Sequence, residues 1–147
     1  MSHPEPASDR RQDLADCESL IHSFCFLIDH GQAAQVVDLF CAEGVFERRG
    51  QALRGHSDIA GAMAARSPQV QTRHICSNIM LRAESTERIT GVTYFQFFRH
   101  DSRTGSASQA PSDLLEAIGE YHDVFEKTSS GWRFAHRRAE AVFQRAS

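Results

Sequence analysis

Asp29 and His74 are the side chains of this sequence best suited to moving a proton. His74 lies in Gln71-Thr72-Arg73-His74-Ile75-Cys76-Ser77-Asn78-Ile79-Met80-Leu81. Strand alternation there puts Thr72, His74, Cys76, Asn78 and Met80 on one side, opposite Arg73, Ile75, Ser77, Ile79 and Leu81. Asp29 lies upstream in Phe24-Cys25-Phe26-Leu27-Ile28-Asp29-His30-Gly31. A neutral imidazole with one nitrogen bound to a buried carboxylate has its tautomer fixed and its other nitrogen free as a base. Such a pair suits removal of a proton beside a carbonyl or leaving group, followed by elimination or by reprotonation elsewhere. The expectation is that the two side chains meet inside a pocket.

Other residues are candidates for the same pocket. Asn78, on the His74 face, could hold a substrate oxygen, and Tyr94 and Tyr121 could donate phenolic hydrogen bonds. Arg137, alternating with Ala135 and Ala139, could stabilise developing negative charge. Phe24, Ile28, Met80 and Phe98 are expected to line the walls, as apolar side chains do in most ligand cavities. Plainer roles stay open: a core histidine, wall tyrosines, and an arginine on a solvated strand end. The remaining histidines show no metal-ligand spacing, and no glycine-rich loop offers a phosphate cradle. No metal and no cofactor are expected.

The elements that must position these residues read clearly. Leu14, Cys17, Leu20, Ile21, Phe24, Cys25, Leu27 and Ile28 recur at helical spacing over residues 11–30, and Gly31 is placed to end that helix. Asp29 continues the apolar stripe in the last turn, where the helix dipole disfavours an anion by up to about 1 kcal/mol. A carboxylate facing the core there needs a partner. A second short helix near residues 32–42 is followed by two short strands, at 44–50 and 51–54, and by a third helix from Asp58 to about Arg66, with Ser57 as its N-cap. Long strands are predicted near 70–83, 88–100, 114–127 and 131–143, with a polar loop over 101–113 and a tight turn at Ser129-Ser130-Gly131. Helices first and strands after is the order of an α+β domain with its helices on one face of a bent sheet. Several strands are apolar on both faces, which predicts a homo-oligomer.

Composition narrows the class. A chain of 147 residues suits one domain, here 11–147 after a disordered, proline-bearing tail at 1–10. A net charge of -3 provides no basic field for nucleic acid or anionic lipid. No apolar run approaches the roughly 18 residues of a membrane span. The four cysteines form no C-x-x-C pair and sit in apolar segments, as expected of reduced thiols in a cytoplasmic protein.

Taken in order, Leu27-Ile28-Asp29-His30-Gly31, Val37-Asp38-Leu39-Phe40, Leu53-Arg54-Gly55-His56, Thr72-Arg73-His74 with Asn78, Gly119-Glu120-Tyr121-His122-Asp123, and Gly131-Trp132-Arg133-Phe134-Ala135-His136-Arg137-Arg138 resemble the SnoaL-like branch of the nuclear transport factor-2-like superfamily. The resemblance covers nearly all of residues 11–143 and implies a cone-shaped, curved, mainly antiparallel sheet packed against N-terminal helices. Within the branch the pattern is similar to scytalone dehydratase, hexachlorocyclohexane dehydrochlorinase and bile-acid 7α-dehydratase. The resemblance implies an aspartate–histidine dyad at Asp29 and His74, and an arginine near the substrate at Arg137. Phe24 departs from the pattern, standing where two of those relatives carry a polar residue. The function so implied is a cofactor-independent lyase or isomerase acting on a small apolar ring compound, as a dimer or trimer. The same fold also admits a non-catalytic ligand-binding protein, an assembly subunit like the small subunit of aromatic-ring dioxygenases, and a polyketide-cyclase-like or steroid-isomerase-like enzyme.

Overall fold

A computed structural model describes residues 7–101 and 115–146 of the chain. Helix α1 (Ala7–Asp29) is followed by a 3₁₀ helix (Ala33–Leu39), strands β1 (Phe40–Arg48) and β2 (Gln51–Arg54), helix α2 (Gly55–Ala64), and strands β3 (Val70–Ala83), β4 (Arg88–Asp101), β5 (Leu115–Thr128) and β6 (Gly131–Gln144). The strands form one curved open sheet in the order β2-β1-β6-β5-β4-β3. Every neighbouring pair is antiparallel except β1 with β6. This is the α+β architecture expected, a mainly antiparallel sheet with its helices ahead of it in sequence.

Helix α1 forms because its apolar residues fall every three or four positions. Cys17, Leu20, Ile21, Phe24, Cys25 and Ile28 are all buried against the inner face of the sheet. Each fully buried Leu, Ile or Phe contributes roughly 1.5–3 kcal/mol relative to exposure. The helix begins at Ala7, so residues 7–10 belong to it rather than to a tail. Asp13, one turn before Cys17, is buried and accepts a 2.8 Å bond from Trp132 Nε1, tying α1 to the start of β6.

The helix ends in a Schellman motif. Gln32 N–H donates to Leu27 O at 2.8 Å, Gly31 N–H donates to Ile28 O at 3.4 Å, and Gly31 takes a left-handed φ of +74°. Asp29 is thereby the last helical residue, held against β3.

Two further boundaries differ from expectation. The second helix is a 3₁₀ turn that stops at Leu39, because Phe40 already takes extended backbone and leads into β1. Helix α2 starts at Gly55 with Arg54 as its N-cap, not Ser57, and Asp58 Oδ2 accepts the Arg54 N–H at 3.0 Å. The polar loop expected over 101–113 lies outside the described residues beyond Asp101. Among the described residues, no helix is long and apolar enough to cross a membrane.

Local irregularities in the ladders decide which side chains face inward. On β3, Ser77 pairs with Tyr94 but Met80 pairs with Val92, so β3 spends one extra residue there. Asn78 sits at that bulge with a φ of +52°, a conformation that asparagine tolerates better than most residues. On β6, Phe134 pairs with Phe125 but His136 pairs with Val124, which leaves Ala135 as the extra residue.

Candidate active site

The C-terminus of α1 meets the first half of β3 at Asp29. Its side chain is only 5% exposed and accepts three hydrogen bonds from β3. Thr72 Oγ1 donates to Oδ1 at 2.8 Å, the His74 backbone N–H donates to Oδ2 at 2.8 Å, and His74 Nδ1 lies 2.7 Å from Oδ1. These bonds supply the partner that an anion at the negative end of a helix requires. Burial pushes the carboxyl pKa up, but the hydrogen bonds and charge of His74, with Thr72, outweigh it and hold Asp29 below its ordinary value. The carboxylate is therefore ionised and acceptor-only, so His74 Nδ1 carries the proton and Nε2 is left as the basic nitrogen.

His74 is fixed from its ring face as well. The imidazole stacks on Phe97 with centroids 4.6 Å apart, and it lines an inner cavity of about 770 Å³. Phe24, Ile28, Phe46, Phe95, Phe97 and Tyr121 supply the apolar walls, while Ala117, Ala139 and Ala141 leave the space open. Tyr121 is buried against Phe95, whose ring lies over Gly119. A Cβ at Gly119 would stand 2.5 Å from that ring and 2.3 Å from Glu140 O, so only glycine lets Phe95 reach this position. Burial pushes the Tyr121 phenol well above its usual range, which keeps it a neutral hydrogen-bond donor.

The structure thus brings Phe24, Ile28, His74 and Tyr121 to one cavity, with Asp29 directly behind His74. It places the other expected residues elsewhere. Asn78 and Met80 lie on the outer face, because the bulge reverses the alternation of β3 and turns Ile79 and Leu81 inward; Met80 is 74% exposed. Tyr94 is also on the outer face, beside Val92 and opposite Glu120, since regular alternation of β4 gives the inner positions to Thr93, Phe95 and Phe97. Phe98 lines an adjoining groove with Thr72, Met63 and His100, and its neighbour Phe97 holds the cavity wall instead.

Arg137 does not line the cavity. Its side chain is fully buried, with Nε donating to Asp123 Oδ1 at 3.0 Å and Nη2 to Oδ2 at 3.4 Å. The guanidinium carbon lies 3.7 Å from the Tyr121 ring centroid, 4.3 Å from that of Phe24 and 4.7 Å from that of Phe134. Arg137 therefore supports the aromatic wall from behind, where a desolvated cation–π contact contributes about 2 kcal/mol. Burial alone would pull its pKa down, but Asp123, with Tyr121 and Cys25, more than restores it and Arg137 stays charged. Burial pushes the Asp123 carboxyl up in spite of Arg137.

Two groups of residues escape a reading of the sequence alone. Asp123 is one, because plain hairpin register from the Ser129-Ser130 turn would place it opposite His136; the Ala135 bulge moves Arg137 there. The second group is Arg48 and its neighbour Arg49, Arg66 and Arg99, which come from three separate stretches and line the same cavity as His74. No local pattern in the sequence connects the three stretches.

A family model for the SnoaL-like domain matches residues 9–138. The chain belongs to the SnoaL-like family. Its fold is shared by a type 2 hexachlorocyclohexane dehydrochlorinase (TM-score 0.77, 12% identity, covering 94% of this chain and 90% of that one). It is shared by a protein named as a candidate scytalone dehydratase from Novosphingobium aromaticivorans (TM-score 0.76, 13% identity, 95% and 91% covered). It is shared as well by a nuclear transport factor-2-like protein with a cystatin-like fold from the same organism (TM-score 0.75, 18% identity, 95% and 90% covered). At these identities the likeness carries the fold of this SnoaL-like chain and not its reaction. No curated protein matches it in sequence.

Proposed function

We propose that this SnoaL-like protein is a cofactor-independent lyase or isomerase, of dehydratase or dehydrohalogenase type, acting on a small ring compound. His74 is the general base and Asp29 its orienter. The observation that carries the reading is the 2.7 Å contact between Asp29 Oδ1 and His74 Nδ1 at the wall of a cavity. Nε2 of His74 takes the proton beside a carbonyl or leaving group, and the Asp29 carboxylate stabilises the imidazolium that forms. A positioned base of this kind accounts for roughly 10²–10⁴ in rate. Tyr121 is the donor available to a substrate oxygen. Phe24, Phe95 and Phe97 exclude water and bind the carbon skeleton. The dehydrochlorinase and candidate dehydratase names among the structural relatives agree with this class of reaction. An open cavity also favours it over a scaffold role, for which a filled interior would serve.

For the assembly we propose a homo-oligomer, a dimer or trimer, closed over the outer face of the sheet. Ile75, Gln96, Ile118 and Phe143 form one cross-strand row there, and Ile75 and Phe143 are 50% and 67% exposed. The free cysteines fit a reducing, cytoplasmic setting.

The test is proton exchange and elimination on a panel of cyclic β-hydroxy and β-halo ketones in D₂O, followed by ¹H NMR. For any compound turned over, His74→Gln is expected to lower kcat/KM at least about a hundredfold with an unchanged melting temperature. A near-normal rate in that variant removes His74 as the base.

A further inference from the structure

The lining of the cavity joins an aromatic wall to four arginines. Arg48 ends β1, Arg49 stands in the β1–β2 turn with a left-handed φ of +51°, Arg66 follows α2, and Arg99 lies near the end of β4. All four line the cavity that His74 lines. Arg48, Arg66 and Arg99 are half-buried, and Arg49 is exposed at the rim beside Gly50. Four guanidinium groups from three stretches of chain do not gather in one cavity without a counter-charge unless something else supplies it.

Among the described residues, none of the four lies within ion-pair distance of a carboxylate. Two carboxylates do line the same cavity, but each already has its own cation. Glu116 pairs with Arg145 at 3.2 Å, and Glu140 pairs with Arg138. Asp29, whose charge acts on Arg66, spends its oxygens on Thr72 and His74. Burial and then the neighbouring arginines push the Arg48 guanidinium below its ordinary pKa; for Arg66, burial and the arginines outweigh the opposing pull of Asp29. Among the described residues, like charges therefore crowd one another here.

We propose that the cavity takes an organic acid, with its ring against Phe24, Phe95 and Phe97 and its carboxylate held by Arg66, Arg99 and Arg48 at the mouth. Guanidinium forks match a carboxylate bidentately, and such charge-assisted bonds are about twice as strong as neutral ones. The exposed Arg49 gives an acidic chain a local positive field that draws an anion to the opening. The inference rests on the proposed function in one respect: it names the substrate class for the cavity where His74 is to act. It narrows the small, largely apolar ring compound expected from the sequence to one that is apolar in body and anionic at one end. The carboxylate, anchored at the mouth, sets which carbon of the ring is presented to His74 Nε2.

The test is equilibrium binding of 2-naphthoate and of its neutral analogue 2-naphthalenemethanol to the full-length protein, followed by ligand fluorescence at low and at high sodium chloride. The acid is expected to bind at least about tenfold tighter than the alcohol at low salt, with the preference shrinking as salt rises. The double variant Arg66→Gln/Arg99→Gln should abolish the preference while the alcohol still binds. Arg48→Gln, at the end of a strand, is a second variant expected to weaken acid binding should the double variant fold poorly. Equal affinity of the two ligands for the wild-type protein, or a preference untouched by both variants, overturns the proposal. The two readings fail separately. Tight acid binding with a fully active His74→Gln variant removes the base and keeps the anion site, whereas turnover of neutral ketones that depends on His74, with no preference for acids, does the reverse.

Discussion

Arg137 and Asp123 face each other across β6 and β5 only because Ala135 is bulged out of the ladder. Their charged groups are both fully buried, joined at 3.0 Å, and enclosed by the rings of Phe24, Tyr121 and Phe134. The pair sits behind the cavity wall and fixes the orientation of two rings that a substrate would touch. Removing one partner leaves an uncompensated charge in the core. Asp123→Asn is expected to cost about 3–5 kcal/mol, read from urea unfolding. The double replacement Arg137→Met/Asp123→Leu should recover most of that loss. A cost below 1 kcal/mol for the single variant would show that the pair is not an isolated buried charge couple.

The Asp29 carboxyl makes a signed prediction about pH. Its pKa in the folded chain lies below the ordinary 3.8, so the unfolded chain binds the proton more readily. The stability it contributes is complete above that ordinary value and is lost as pH falls through the lower, folded value. Wild-type protein and Asp29→Asn should therefore differ most in melting temperature at neutral pH and converge in strong acid. A constant difference across the acid range would mean that Asp29 is not held ionised by His74 and Thr72.

Met80 offers a probe of assembly that leaves the interior untouched. It is 74% exposed on the outer face, next to Val92 and Tyr94. Met80→Glu is expected to shift the proposed oligomer toward monomer in light scattering, with a change in monomer stability within about 0.5 kcal/mol. An assembly unmoved by a charge at this position would place the interface on another face.

The thiols should react in a definite order. Cys17 is fully buried, and its pKa is pushed up to about 12, first by burial and then by Asp13 and Asp16. Cys76 is half-buried, and a hydrogen bond with Cys25, at 3.6 Å between the sulfurs, brings its pKa down against the effect of burial. Thiolate fraction and access both favour Cys76. Mass mapping after brief iodoacetamide treatment near pH 8 should find Cys76 modified before Cys17 and Cys25. Prior modification of Cys17 would mean that α1 opens locally on that timescale.

Much of this architecture is written in short-range patterns. The recurrence of apolar residues at three and four positions draws α1, Gly31 provides the left-handed residue that ends it, and the four long strands lie within one or two residues of where their composition puts them. Asp29 was readable as a residue in need of a partner because a carboxylate on an apolar stripe at a helix C-terminus is costly by itself. The order of the motifs carried the family, and with it the partnership with His74.

Side-chain direction along the strands belongs to the tertiary structure. Alternation predicts one face for His74, Asn78 and Met80, but a single extra residue at Asn78 reverses it, and another at Ala135 decides that Arg137 meets Asp123. A bulge depends on how the neighbouring strand must bend, which no local window contains. The arginine-lined mouth has the same origin: Arg48, Arg66 and Arg99 are far apart along the chain and become neighbours only when the curved sheet closes around the helices. Sequence by itself determined the elements, their order and the acid that required a base; the closing of the sheet decided which side chains share the cavity, because register and curvature are set by contacts between segments distant in sequence.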